Sequence, residues 1–528
     1  MTKKAIIYVD NKENIIPFSQ FLVSSGWTII SGDETENLLK SENIPVVHES
    51  GLTENINDKN DTFEVIRKLL NSNLKSDSSD NISLVCINLS PLKEKAGSNI
   101  ISDNFYLTSI LRNCFVNYKN LLVLTDPEDY HEAEIQIRTD CITDSFRAYL
   151  VGKMLNMISA YDGIVSHQIF KNSPYADKFS TYLSIPYKKI GKSLAGLNPQ
   201  QEACIYIKDE DFSFSNNSLK KIYKDLPCNI ITDVSFALEQ IRLLFNYFRT
   251  QFTVKSVNCD NYEYTTQFTP LTGTVFTIAV KYKSIIGAAL ADNTLDSFYK
   301  TFTYDTDKIS GAVFGCSAVI DEKVANEIVK SNFTAIFAPD FTNEARLILG
   351  NNKGIRLITI STEAEIGYDT EFINSGFLIQ TKDNLLFDKW FIKTLNRPSQ
   401  SKIDQMAFGM LLVMHMKTYS AVLIKQNSLV GIAQGDISSV DAVDEVLNNS
   451  KKNHQRSKVS ENTDDKILAD VLVCDTAISL CDSIKELISC GLSAIIQPGG
   501  LLNDDEFIKY CNEHDVVLVF TGMTHISY

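Results

Sequence analysis

The sequence predicts an α/β protein of several domains, and three observations carry that expectation. The chain has 528 residues, of which 44% are hydrophobic and 22% charged, enough apolar material for the cores of two to four domains. Its first 160 or so residues alternate short β-branched runs with helical patterns, the pattern of a parallel sheet covered on both faces. The remainder, to Tyr528, mixes strands and helices in two successive runs.

Near the N-terminus, Ala5 to Val9, Thr28 to Ile30, Ile82 to Ile87 and Leu121 to Leu124 are short, apolar and β-rich, and read as buried strands. Ile16 to Ser24, Thr35 to Ser41, Thr62 to Asn73 and Leu107 to Phe115 carry helical spacing between them. Asp126-Pro127-Glu128-Asp129 closes the last strand, because proline sets a turn and acids suit a helix start. A long helix is expected from about Ser145 to Ala160, and Ile169 to Asn198 is irregular. This predicts a domain over 1–168, a linker over 169–198 and a C-terminal region over 199–528.

Within the C-terminal region, the first of the two runs goes from Phe276–Val280 to Ile336-Phe337. The other goes from Ala421–Ile424 through Ile495-Ile496 to Val516–Phe520. Helical patterns cover Asp233 to Tyr247, Lys323 to Ser331, Gln405 to Met416 and Ser483 to Ser489. Two polar stretches, Glu54 to Asp61 and Asn448 to Asp465, read as solvated loops, having too few apolar residues to offset the entropy of ordering.

A formal charge of −15 argues against a nucleic-acid or anionic-membrane partner. The eleven cysteines form no C-x-x-C pair and no zinc spacing, so they read as reduced core fillers in a cytoplasmic protein. Ala5 to Val9 is too short for a signal-peptide core, and no apolar stretch approaches the roughly 20 residues that span a bilayer. His415 reads as a packed helix residue. Gly311-Ala312-Val313-Phe314-Gly315 is a weak hint of a phosphate loop, lacking the lysine and serine of a P-loop. No metal-ligand cluster is evident.

The C-terminus carries a specific series: Ala494-Ile495-Ile496-Gln497-Pro498-Gly499-Gly500, then Asp504-Asp505, Asn512-Glu513-His514 and Val519-Phe520-Thr521-Gly522-Met523-Thr524-His525. It resembles, with its spacing, the ending A-I-I-Q-P-G-G, D-E, N-E-H, V-F-T-G-M-R-H of the bifunctional AICAR transformylase/IMP cyclohydrolases. Further matches follow in that family's order: Ile30-Ser31-Gly32 with Thr35, Asn88-Leu89-Ser90-Pro91-Leu92, Asp126 to Tyr130, Ala160-Tyr161-Asp162, Gly196-Leu197-Asn198-Pro199-Gln200-Gln201 and Ala338-Pro339-Asp340-Phe341. The resemblance implies a methylglyoxal-synthase-like N-terminal domain and a C-terminal half of two cytidine-deaminase-like subdomains. It also implies a homodimer with transformylase sites between subunits.

By the same resemblance, formyl transfer from 10-formyltetrahydrofolate to AICAR would use the stretch matching V-K-H-x-N-P, here Val280-Lys281-Tyr282-Lys283-Ser284-Ile285. Lys281 is kept and the histidine is Tyr282. A phenol of pKa about 10 is a poorer base at neutral pH than an imidazole of about 6.5. Lys281 is then either a retained catalytic lysine or a solvated one beside a strand. Asn198, Gln200 and Asn229 carry over as substrate-binding positions. Other family cations and aromatics are missing: the arginine-tyrosine before G-E-N-P-H-Q is Leu194-Ala195 and its histidine is Gln200. The Q-x-S-R stretch is Asp436-Ile437-Ser438-Ser439, S-D-A-F-F-P-F-P-D is Cys474 to Asp482, and S-A-F-G-G is Lys308 to Ala312.

For the cyclohydrolase, the phosphate loop S-V-S-D-K-T-G is matched by Tyr8 to Asn14, which keeps Lys12 and loses both serines. Ser31 and Gly32 remain of the S-T-G-G-T loop, where Asp33 would repel phosphate. The sequence thus leaves three readings. The chain is a working or weakened transformylase using Lys281, with Tyr282 as a hydrogen-bond donor, water or another group as base, and cyclohydrolase activity lost; or a non-catalytic homologue that binds an AICAR/IMP-type nucleotide or folate; or a structural partner of an active relative. No metal is implied.

Overall fold

The computed structural model describes residues 3–49, 66, 82–91, 104–171, 173–175, 179–198, 200–208, 226–248, 252–269, 273–302, 309–360, 368–458 and 468–527. It is α/β with both parallel and antiparallel pairing, in two compact units: Met1–Ser193 with Glu202–Asp225, and Leu194–Gln201 with Leu226–Tyr528. Most of the stretches Glu54–Asp61 and Thr62–Asn73, and Leu92, Pro199, Lys308 and the Asp33 side chain, lie outside what is described.

In the first unit the apolar runs become β1 (Lys4–Val9), β2 (Thr28–Ser31), β3 (Val46–His48), β4 (Ile82–Asn88) and β5 (Leu122–Leu124). Every pairing is parallel and the order is β3-β2-β1-β4-β5. Helices α1 (Ile15–Ser24), α2 (Asp33–Ser41), α3 (Asn104–Val116), α4 (Tyr130–Arg138) and α5 (Asp144–Lys171) surround it. Alternate residues of a strand point to opposite faces. Ile6, Tyr8, Val85 and Ile87 therefore pack with Ile110 and Leu111 of α3 and Met154 and Ile158 of α5. Ala5, Ile7, Leu84 and Cys86 pack with Phe18 and Leu22 of α1 and Ala133 of α4. Burial on both faces is why these strands read as unbroken apolar runs. Helix α5 runs eleven residues beyond the expected Ala160. Its buried stripe, Met154, Ile158, Tyr161 and Ile164, continues past that point. An antiparallel hairpin, β6 (Tyr187–Lys192) with β7 (Cys204–Lys208), completes the unit.

The second unit starts with α6 (Cys228–Phe248), β8 (Phe252–Val257) and β9 (Glu263–Phe268). Then comes β10 (Val275–Lys281), β11 (Ser284–Ala291), α7 (Thr294–Phe302), β12 (Val313–Cys316), α8 (Glu322–Ile328), β13 (Ala335–Ala338), α9 (Asn343–Gly350) and β14 (Arg356–Thr359). After a ribbon of β15 (Tyr368–Ile373) and β16 (Gly376–Thr381), β17 (Lys389–Ile392) and α10 (Gln400–Val413), the same succession returns. It is β18 (Ser420–Lys425), β19 (Ser428–Gln434), α11 (Ser439–Lys458), β20 (Val471–Cys474), α12 (Asp482–Ser489), β21 (Ala494–Gln497), α13 (Asp504–Glu513) and β22 (Val517–Phe520).

One thirteen-stranded sheet holds both copies, ordered β14-β13-β12-β10-β11-β19-β18-β20-β21-β22-β17-β8-β9. The two copies mirror each other about the antiparallel contact of β11 with β19. Even local irregularities repeat: the ladder shifts between Ala279 and Val280 in one copy and between Leu423 and Ile424 in the other. The two runs seen in the sequence are thus a structural duplication.

Two expectations are corrected. Asn448 to Lys458 is not loop but the end of α11, since Ala442, Val443, Val446 and Leu447 bury its first turns and helix propagation carries the polar tail. Gly311 to Gly315 is not a phosphate loop, because Val313 to Cys316 is the buried strand β12, where Gly315 makes room for the Phe337 ring. Of the cysteines, Cys86, Cys114, Cys316, Cys474 and Cys511 are buried as expected, but Cys141, Cys204 and Cys259 are exposed. Among the described residues, no helix is long and apolar enough to cross a membrane.

Candidate functional site

In the second unit the resemblance residues gather around the start of α6. Leu194 N–H donates to Leu226 O (3.2 Å) and Cys228 N–H to Ala195 O (3.1 Å), fastening the loop to the helix. Gln201 folds the loop on itself: its side-chain oxygen accepts from the backbone N–H and the amide of Asn198 (3.1 and 3.0 Å). Asn198 and Gln200 are both exposed there. Asn229 stands half-buried in the first turn of α6, its carbonyl accepting from Thr232 Oγ1.

One turn further on is Asp233, which nothing in its sequence context singles out. It is 1% exposed, and its two oxygens accept the backbone N–H groups of Tyr282 (2.9 Å) and Lys283 (2.6 Å). These two residues form the turn between β10 and β11, with φ of +54° and +57°. Such a two-residue turn suits the twist of a hairpin but normally takes Asn-Gly, because side chains resist positive φ. The Asp233 carboxylate ties down the turn that presents Lys281. Burial pushes its carboxyl up from the ordinary range, against the pull of the Lys283 and Tyr282 amides. Replacing Lys283 with glycine relieves one strained φ and is expected to stabilise the unit by about 0.5–1 kcal/mol; a urea midpoint that falls instead would show that the lysine side chain matters more than the turn.

At the hairpin's base, Lys281 Nζ donates to Ser310 O (2.7 Å) and lies 6.0 Å from the centre of the Tyr282 ring. Tyr282 itself is 71% exposed. Neither residue of the turn, Tyr282 or Lys283, is a histidine. The equivalent turn of the second copy, Gln426-Asn427, also has positive φ at both residues and is held by Asp470, which accepts from Gln426 N–H (3.0 Å). The turn is therefore a property of the duplicated fold, and its chemistry comes from what is mounted on it.

The Asp436–Ser439 stretch follows β19. Ile437 is exposed, while burial first, and then the neighbouring Glu445 and Asp441, push the Asp436 carboxyl up to about 6. A folded-state pKa above the unfolded value means the native protein holds the proton more tightly. Stability is therefore expected to fall as pH rises from about 4 through about 6. Asp436→Asn should flatten that part of the stability–pH curve; an unchanged slope would place the titration elsewhere.

The C-terminal series proves to be scaffolding. Gln497 is fully buried and its oxygen accepts Ile478 N–H (2.6 Å), while Asp504 Oδ2 accepts from Gly500 and Leu501 (2.7 and 3.0 Å). His525, also fully buried, sets Nδ1 2.7 Å from Asp383 Oδ2 and Nε2 3.1 Å from Leu386 O. His415 lies just past the end of α10, half-buried, and burial lowers its pKa.

In the first unit the strands are parallel, so their carboxyl ends share one edge, and chain order reverses between β1 and β4. Ligands of open α/β sheets bind at that kind of switch point. Lys12, Ser31, Gly32, Asn88 and Asp126 all fall at this edge. Asn88 Oδ1 spans it, accepting from Asp10 N–H (2.7 Å) and Asn11 N–H (2.9 Å). Lys12 Nζ is 3.8 Å from Glu34, and the buried Ser31 hydroxyl donates to Ile7 O (2.6 Å). Beyond β5, Lys153 of α5 bridges Asp126 and Asp129, each at 2.8 Å. Burial works against the Lys153 charge, but these two carboxylates outweigh it and its pKa is raised; burial also raises that of Asp129, although Lys153 pulls it down. Sequence reading passed over Lys153 because it sits within the apolar stripe of a helix. Its pairing with a turn 24 residues away is a tertiary fact. Among the described residues, no group of three or more His, Cys, Asp or Glu is placed to hold a metal ion.

The family model described as AICARFT/IMPCHase bienzyme matches residues 116–449. The "Bifunctional purine biosynthesis protein PurH" of Clostridium acetobutylicum is 28% identical over 552 aligned positions, covering all of both chains. The protein of the same description from Brachyspira hyodysenteriae is 26% identical, again over the whole of both. A solved structure, "Crystal structure of ForH", aligns with 32% of this chain and 96% of its own at 21% identity, with a TM-score of 0.28. With its family model matched over more than half its length, and relatives aligned end to end, the chain belongs to the AICARFT/IMPCHase bienzyme family.

Proposed function

We propose that this family member has lost the cyclohydrolase reaction and that its formyl transfer to AICAR is weakened or lost. One observation carries the reading: the turn that presents Lys281 is intact, but the residue beside it is an outward-facing tyrosine and no imidazole. A phenol is a poorer general base than an imidazole at neutral pH, and losing a general base costs about 10² to 10⁴ in rate.

In this proposal Lys281 and Tyr282 are the catalytic pair, with Tyr282 donating a hydrogen bond. Asn198, Gln200 and Asn229 contact the AICAR-type nucleotide, and 10-formyltetrahydrofolate is the co-substrate. Lys12, Ser31 and Gly32 are what remains of a phosphate site for an IMP-type nucleotide. The finer architecture is a methylglyoxal-synthase-like domain over 1–168, a connecting stretch over 169–198 and a pair of cytidine-deaminase-like subdomains over 199–528. The duplicated α/β succession of the second unit supports the latter. We place the protein in the cytoplasm as a homodimer. Support for a covered face comes from the β15–β16 ribbon, where Phe372 is 88% and Phe377 45% exposed, since two strands alone are marginal in water. The net charge of −15 supports no nucleic-acid partner. Formyl transfer by purified chain, with and without Lys281→Ala, tests the reading. Turnover at the rate of an intact relative would overturn it. No turnover above the mutant would favour the alternative, a homologue that binds a nucleotide or folate, or pairs with an active relative, without catalysing.

A further inference from the structure

A buried carboxylate stands at the start of α2. Glu49, just past β3, is 5% exposed. Its carboxylate lies flat against Gly32, the residue that begins α2: a Cβ on Gly32 would stand 2.6 Å from one carboxylate oxygen and 3.0 Å from the other. The backbone of Gly32 is extended, so glycine is needed here for this close approach and not for a strained φ. The first turn of a helix leaves backbone amides without helical partners and favours negative charge, which makes it a natural seat for an anion.

The donors around that seat are engaged with the protein itself. The Ser31 hydroxyl donates to Ile7 O, and Thr35 Oγ1 accepts Val9 N–H (3.0 Å) and faces Val9 O (3.3 Å). Asp10 and Asn11 amides go to Asn88, and Lys12 faces Glu34. Further negative charge stands close by. Glu36, in the first turn and buried, pairs with Lys40 at 2.5 Å and lies 3.4 Å from His48.

We propose that Glu49 is a built-in anion: its carboxylate takes the seat at the start of α2 and closes the first unit to phosphate-bearing ligands. The proposal rests on the reading that this unit no longer performs the cyclohydrolase reaction, and says by what contact the nucleotide is kept out. An incoming phosphate would have to displace a buried carboxylate of like charge. Removing that carboxylate uncovers Gly32 and the first-turn amides, and an arriving phosphate would then have to draw Lys12 away from Glu34.

The test is calorimetric titration of the full chain with inorganic phosphate, against chloride at matched ionic strength. Wild type is expected to show no saturable heat, and Glu49→Ala to bind phosphate about tenfold tighter or more. Glu49→Gln keeps the side-chain volume and guards against a misfolded alanine variant; it should gain affinity to a lesser degree. Adding Lys12→Ala to Glu49→Ala should abolish the gain, tying it to this crevice. Wild-type binding as tight as that of Glu49→Ala, or folded variants that both ignore phosphate, would overturn the proposal. Ring-closure activity of the wild type is assayed separately. Turnover there would sink the loss-of-cyclohydrolase reading, while the phosphate titrations judge Glu49.

Discussion

Given AICAR and 10-formyltetrahydrofolate, the full chain is expected to turn over about 10² to 10⁴-fold more slowly than the Clostridium acetobutylicum relative assayed beside it. The amine of AICAR is a weak nucleophile, because its lone pair is delocalised into the ring, so its attack depends on a base that is free at neutral pH. A phenol of pKa about 10 keeps its proton where an imidazole of about 6.5 has given it up. On the proposed reading Lys281 stabilises the developing oxyanion, which requires its side chain to leave Ser310 O for the substrate. Tyr282→His is accordingly expected to raise the rate by about tenfold or more, with an acid limb appearing near the imidazole pKa in the pH profile. Lys281→Ala should remove what turnover remains. A wild type that matches the relative would mean that another group supplies the base. A Tyr282→His variant that folds and gains nothing would mean that the missing arginines limit the site instead, since Leu194 and Ser439 cannot replace their bidentate grip on phosphate.

Asp233→Ala is expected to lower the stability of the second unit by about 2–3 kcal/mol. Two hydrogen bonds to a buried carboxyl group disappear together, and the Tyr282-Lys283 turn loses the anchor that holds both residues at positive φ. The fully buried Trp390 reports the unfolding of this unit in a Trp27→Phe background, because the chain has two tryptophans. A urea midpoint within about 0.5 kcal/mol of wild type would show that the turn holds itself. Asp233→Asn separates charge from shape: one amide oxygen can still accept, so about half the loss is expected to return.

The parallel sheet of the first unit was plainly legible. Ala5–Val9, Thr28–Ile30, Ile82–Ile87 and Leu121–Leu124 all became strands, because burial on both faces writes itself as a continuous apolar run. Family membership was legible for a related reason. The Gln497-Pro498-Gly499-Gly500 series and His525 are scaffolding, held by Ile478, Asp383 and Leu386, and packing constraints survive when a site's chemistry changes. The end of α11 was misread because Asn448 to Lys458 is polar, although the buried stripe that sustains the helix lies one turn earlier, at Val443 to Leu447.

What the sequence determined by itself was therefore the order of elements, the sheet they build and the residues mounted at Lys281-Tyr282. These follow from periods of two and 3.6 residues and from motifs a few positions long. Tertiary structure alone decided which groups meet. Asp233 reaches amides 49 and 50 positions away, Lys153 finds Asp126 and Asp129 across a helix and a turn, and Glu49 comes to rest on Gly32. The physical reason is one of range. Periodicity is a local signal that a few neighbouring residues can carry, whereas a carboxylate's partner is chosen by how a whole helix docks on a sheet.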